Sequence, residues 1–130
     1  MQTRNKNDLL NRLDAYLNKH GKTTVINPGK ASFETWQMNE MTRNNNQVSS
    51  GRIYLRTLDR QEFDKLLQTH GIFCGIYSCT DLNAIKGAFE DVVKINTVAA
   101  EKAVDYGNHN MESAFRYYIE FLLDINRIII

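Results

Sequence analysis

Proline occurs once in 130 residues and cysteine twice, and each scarcity removes a class of answer. With Pro28 the only residue that locks φ and lacks an amide proton, nothing else of that kind stops a helix, so helices are free to run. Cys74 and Cys79 are too few for a disulfide framework, and their spacing matches no zinc or redox pair. Both lie in an apolar run, where a free thiol behaves as a small hydrophobe. Glycine-rich and repeated tracts are absent. There is neither a basic-then-apolar leader nor an uninterrupted apolar stretch of membrane-spanning length, so a cytoplasmic protein with no membrane partner is expected.

What is present is ordinary globular material. The chain is 42% apolar and 24% charged, which excludes a disordered tail, and its length suits one domain with a real core. The net charge of +1 is unevenly spread: residues 1–60 carry ten Lys/Arg against five Asp/Glu, and residues 61–130 carry six against ten. Such asymmetry can mark a surface for an anionic partner. It is equally what two halves of a small domain often show.

The clearest periodicity is near the end. Met111, Ala114, Phe115, Tyr118, Phe121, Leu122 and Ile125 recur at three- and four-residue steps, which a helix gathers into one apolar stripe. Asn110 is placed to cap it and Glu112 puts negative charge in the first turn. Glu112, Arg116 and Glu120 sit four apart and are expected on an exposed face. A helix so apolar on one side is expected at the centre of the core.

Earlier, Leu9, Leu10, Leu13, Tyr16 and Leu17 predict a helix that Gly21 stops. Asn27-Pro28-Gly29 is a turn after a short extended segment. Ser32 can then cap a helix with Phe33, Trp36 and Met41 inward. Residues 52–57 are ambiguous. At helical spacing Tyr54, Leu55 and Leu58 face inward with Arg52, Arg56 and Arg60 on one outer edge; at period two the segment is an edge strand. The helix is preferred. Asp59 and Glu62 form a capping-box pattern ahead of Phe63, Leu66 and Leu67. Residues 72–79 are an apolar connection or a strand. Thr80 or Asp81 opens a helix with Leu82, Ile85, Phe89, Val92 and Val93 inward, and a break is expected at Asn96-Thr97. The expected fold is mainly α: a single-domain bundle of five to six helices, with room for one or two short strands around 23–27, 52–57 or 72–78. Leu13, Leu66, Phe89, Phe115 and Leu122 should share one core.

The stretches GIYSCTDLNAIKGAFEDVV and GNHNMESAFRYYIEFLLD are similar to an IY-x-x-TD … GN-x-x-SA-x-x-YIEFL pattern of small helical domains found beside bacterial restriction-type nucleases. Those domains resemble the core-binding, SAM-like helical domain of tyrosine recombinases. Upstream, VSSGRIYLRTLDRQEFDKLL resembles the first helices of that module. The resemblance covers residues 48–125 and leaves 1–47 outside it. It implies a DNA-contacting or nuclease-associated helical module and does not imply catalysis. Recombinases need a His-x-x-Arg pair, and none of His20, His70 and His109 has Arg at that spacing. The common metal-dependent nuclease needs an acidic-x-Lys pair, and no Asp or Glu here has Lys two residues on.

The candidate nucleic-acid contacts are Arg52, Arg56, Arg60 and Lys65, because guanidinium groups bind phosphate oxygens bidentately and an array of them follows a backbone. Arg43, beside the polar loop 44–47, joins them. Ser49 and Ser50 at a helix start could add donors to a phosphate. Each also fits a plainer role, as a solvated face or a cap. Asn108, His109 and Asn110 form a polar cluster that reads as turn chemistry with a cap. Trp36 could stack on a base but suits a core. No catalytic, cofactor or metal residue is assigned, and neither Tyr117 nor Tyr118 has the neighbouring base that a nucleophile needs. Two functions follow: a non-catalytic nucleic-acid-binding or nuclease-associated module, with DNA as partner, in a restriction or mobile-element system; or a protein-interaction module, an adaptor of a nuclease or a phage- or plasmid-borne inhibitor. The terminal Ile128, Ile129 and Ile130 suggest a homodimer, since three apolar side chains are rarely left in water.

Overall fold

The computed structural model describes residues 6–20, 24–43, 48–101 and 109–126. Among these the chain forms α1 (Lys6–His20), α2 (Lys30–Arg43), α3 (Val48–Leu58), α4 (Gln61–Gln68), α5 (Leu82–Glu101) and α6 (His109–Ile125), with one 3-10 turn at Ile76–Ser78. The fold is the expected mainly α bundle, and residues 52–57 are helical within α3. No strand occurs among the described residues. Extended backbone at 24–27 finds one bridge, Thr24 to Asp81, in which the Val25 amide donates to the Thr80 carbonyl at 2.9 Å. Residues 72–78 are bent out of a strand path by Gly71 and Gly75, at φ +79° and +78°, a left-handed geometry open to glycine.

Helix α6 is the centre of the bundle, touching α1, α2, α3 and α5. Phe115 meets Phe63 of α4 and Phe89 of α5 edge-on, with ring centroids 5.0 and 5.4 Å apart. Tyr118 and Phe121 meet Phe33 of α2 at 4.7 and 5.4 Å. Tyr117 packs against Tyr54 of α3 at 5.5 Å. Along α2, Phe33 faces Tyr118 and Phe121, while Trp36 faces Phe121 and donates to Asp124 at 2.8 Å. Leu13, Phe89, Phe115 and Leu122 share the core as expected. Leu66 only leans on it, and Leu67 fills the place.

Several local expectations give way to this packing. Helix α6 lacks the solvated charged face: Glu120 is 3% exposed and Glu112 and Arg116 are half-buried, because neighbours flank the helix on most sides. Helix α5 does not break at Asn96-Thr97. Thr97 Oγ1 donates to the Val93 carbonyl at 2.8 Å, and the buried Asn96 amide donates to Glu112 Oε1 at 3.2 Å, so both polar side chains are satisfied inside a continuous helix. Asp59 does not cap α4. Its carboxylate is held by Lys30 at 2.7 Å, and the N-cap is Arg60, which gives no side-chain cap. Ser32 is likewise displaced as a cap, since α2 begins at Lys30, where the Gly29 carbonyl accepts from the Phe33 amide at 3.1 Å. Asp81 does open α5, accepting from the amides of Asn83 and Ala84 at 3.1 and 3.2 Å.

Two asparagines tie the segment before α2 to the rest. Asn126 reads the Ile26 backbone both ways, accepting from its amide at 2.9 Å and donating to its carbonyl at 3.0 Å. Asn27 donates to the carbonyls of Ile76 and Cys79 at 2.8 and 2.7 Å and accepts from the Gly29 amide and the Tyr118 hydroxyl. The loop before α5 is thus fastened to α6 through one amide side chain.

Candidate functional site

The basic residues singled out from sequence fall on α3, the turn after it, and α4. Arg52 and Arg56 are exposed on α3, four residues or about 6 Å of helix rise apart. Arg60 is exposed too, but it lies past the end of α3 in extended conformation, with φ −72° and ψ 148°. The three guanidinium groups therefore do not share one helix edge; two sit on α3 and the third turns the corner into α4, where Lys65 is exposed. Among the described residues none of the four makes an ion pair.

Their acidic neighbours are partly engaged elsewhere. Asp59 is taken by Lys30, whose ammonium is held above its ordinary value, first by that hydrogen bond and against a smaller effect of burial. Asp64 accepts from Gln68 at 3.2 Å. Of the acids along 48–68, the Lys30 pair offsets Asp59, while Glu62 is exposed and Asp64 keeps its charge.

Two grooves open beside this edge. The first, about 260 Å³ between α2 and α3, is lined by Glu34, Gln37, Met38, Met41, Arg52 and Leu55, over Gly51. It is smaller than the roughly 300–1,000 Å³ of typical small-molecule pockets. A Cβ on Gly51 would stand 3.1 Å from the Met41 Sδ, a tight contact with that side chain. The second groove, about 310 Å³, puts Arg60 and Asp64 opposite Gly75, Ile76 and Tyr77. Among the described residues the buried Tyr77 hydroxyl has no hydrogen-bond partner, and burial holds its proton well above the usual phenol range.

Sequence reasoning missed the loop on the far side of that second groove. Residues 72–79 read as a uniformly apolar run, yet Phe73 is 75% exposed and Cys74 is exposed, while Ile72, Ile76 and Cys79 are buried. The signal that could have found this is the pair of glycines, Gly71 and Gly75, bracketing the two displayed residues.

Of the other residues singled out, Trp36 is half-buried, with its ring against Phe33 and Phe121 and its Nε1 committed to Asp124. Ser49 and Ser50 fall in the first turn of α3 and Arg43 ends α2, but their side chains lie outside the described residues. Asn108 and Ile128, Ile129 and Ile130 lie outside them altogether. His109 and Asn110 open α6, again without described side chains. Tyr118 is buried, its phenol pushed up first by that burial, and it serves as a donor to Asn27. His70 and Asp91 approach to 2.6 Å, joining the turn after α4 to α5. Among the described residues no group of three or more His, Cys, Asp or Glu could hold a metal ion, and no helix is long and apolar enough to cross a membrane.

Compared with protein-family models, with curated proteins and with solved structures, the chain matches none.

Proposed function

We propose that this chain is a non-catalytic nucleic-acid-binding module of a bacterial or mobile-element DNA-processing system, with α3 and the turn into α4 as its phosphate-contacting edge. The observation that carries this reading is that Arg52, Arg56, Arg60 and Lys65 are all exposed and all free of ion pairs among the described residues. Guanidinium groups held by a carboxylate would have to give up that partner before meeting phosphate; these do not. The likeness of residues 48–125 to recombinase-type helical domains points the same way.

The test is binding to duplex and single-stranded DNA over a range of salt. Neutralising phosphates releases counterions, so affinity should fall linearly on a log-log plot, by about 0.9 per duplex contact and about 0.7 per single-strand contact. Substituting Arg52, Arg56 and Arg60 together by Gln keeps helix propensity, removes the charge and should flatten that slope with the fold intact. Wild-type protein without salt-sensitive binding to any nucleic acid withdraws the reading. A protein-interaction module is then the reading that stands, favoured by Met38 and Ile53, which are 56% and 44% exposed beside Arg52.

A further inference from the structure

Of the large apolar side chains described, Phe73 is the most exposed, and the backbone around it is fastened rather than loose. On one side the Ile72 amide donates to the Leu67 carbonyl at 3.0 Å and the Ile72 side chain is buried. On the other, Ile76 is buried and its carbonyl is held by Asn27 at 2.8 Å. Between these anchors Gly71 and Gly75 take left-handed φ, so the chain turns outward and back with Phe73 and Cys74 at its tip. An aromatic ring is thus displayed at a defined place.

That place adjoins the basic edge. Gly75 lines the same groove as Arg60, and two residues of chain from Gly75 to Phe73 span at most about 7.6 Å. Of the two acids that line this groove, Asp59 is paired with Lys30 at 2.7 Å and Asp64 accepts from the neutral Gln68 amide at 3.2 Å. An exposed apolar ring on a loop whose Gly75 shares a groove with a guanidinium offers one contact to each half of a nucleotide, base face and phosphate. In a duplex the base faces are covered by their neighbours, and only an unpaired strand offers one to a ring on a protein surface.

We propose that the 71–75 loop is a base-stacking platform and that the nucleic acid this chain binds is single-stranded, with a base on Phe73 and the adjoining phosphates along Arg60 and Arg56. The proposal rests on the phosphate-contacting reading above, and the experiment separates the two. Labelled oligothymidine and a mixed-sequence duplex are titrated with the full chain, with Phe73→Ala, with Phe73→Leu and with the triple arginine variant.

Wild type should bind the single strand more tightly than the duplex. Both Phe73 variants should weaken single-strand binding by roughly five- to a hundred-fold, as loss of one base stack does, with an unchanged salt slope because no phosphate contact is lost. The arginine variant should do the reverse and flatten the slope. Far-ultraviolet circular dichroism should not change in the Phe73 variants, the side chain being exposed. Equal binding of both strands' forms with no effect of Phe73→Ala overturns the platform and leaves the phosphate reading standing. Wild-type affinity in Phe73→Leu also overturns it, since the loop would then be an apolar contact of the kind a protein partner makes. Absence of binding by wild type removes both readings together.

Discussion

The hydroxyl of Tyr118 donates to Oδ1 of Asn27 across 91 residues of sequence. It is the point at which the central helix, the segment before α2 and the loop before α5 are joined, because the amide of the same Asn27 holds the carbonyls of Ile76 and Cys79. Tyr118→Phe removes one donor from an oxygen that keeps the Gly29 amide at 3.3 Å, and should cost about 1 kcal/mol. Asn27→Ala strands two carbonyls and a buried hydroxyl, and should cost roughly 3 kcal/mol or more. Urea unfolding measures both. The double variant should fall short of the sum, because the two changes delete the same bond; strict additivity would show the bond contributes nothing.

Alkaline titration should unfold the protein cooperatively. Burial holds Tyr77 and Tyr118 protonated above the ordinary value of 10.0, and hydrogen bonds to Asp59 and Asp14 hold Lys30 and Lys86 protonated above 10.5. Each of these groups binds its proton more tightly folded than unfolded. Their contribution is therefore level below about pH 10 and is lost as pH rises through the folded values. Phenolate absorbance followed beside circular dichroism should show Tyr77 and Tyr118 ionising only as helix is lost, so that Tyr77→Phe and Tyr118→Phe each reduce that late component. All six tyrosines titrating together while the helix signal persists would contradict it.

Cavity formation at the centre of the bundle should be severe. Phe115 and Leu122 are fully buried, and Phe115 is held edge-on by Phe63 and Phe89. Phe115→Ala should cost about 3–5 kcal/mol and Leu122→Ala about 2–5 kcal/mol. A melting temperature unmoved by either change would remove α6 from the core.

The glycines that frame Phe73 should be replaceable in volume but not in conformation. A Cβ at Gly71 or Gly75 meets nothing within 4 Å, so the only obstacle to Ala is positive φ. Ala at Gly71 should lose about 1–2 kcal/mol, the left-handed penalty of an L residue, and Asn there should lose less because its short polar side chain tolerates that region. At Gly75, where φ 78° goes with ψ 166°, a region essentially open to glycine alone, Ala and Asn should both lose about 1–3 kcal/mol. Equal stabilities of the Ala and Asn variants at Gly71 would show that the loop relaxes away from its left-handed turn.

The helices themselves were legible because helical periodicity is local. The stripe from Met111 to Leu122 and the inward sets of α1, α4 and α5 depend on residues three or four apart, and no distant partner is needed to recognise them; Ile125, expected on that stripe, is 39% exposed at the end of α6. At 52–57 the spacing allows both helix and edge strand, with helix preferred, and the chain is helical there. For the site, the Arg52 and Arg56 spacing was readable for the same reason.

What the spacing left open depends on which surfaces meet. Glu112, Arg116 and Glu120 have the pattern of a solvated face and are buried or half-buried because α6 is enclosed by its neighbours, a fact no four-residue interval records. The capping pattern at Asp59 yielded to Lys30, which is 29 residues away. Phe73 belongs to a stretch that reads as an apolar connection or a strand, and it stands in solvent between buried isoleucines where Gly71 and Gly75 take positive φ. Local propensity and period were carried by the chain in order; long-range partners such as Asn27 and Asn126, and the exposure of a single ring, come into being when the helices pack, since burial is a property of two surfaces.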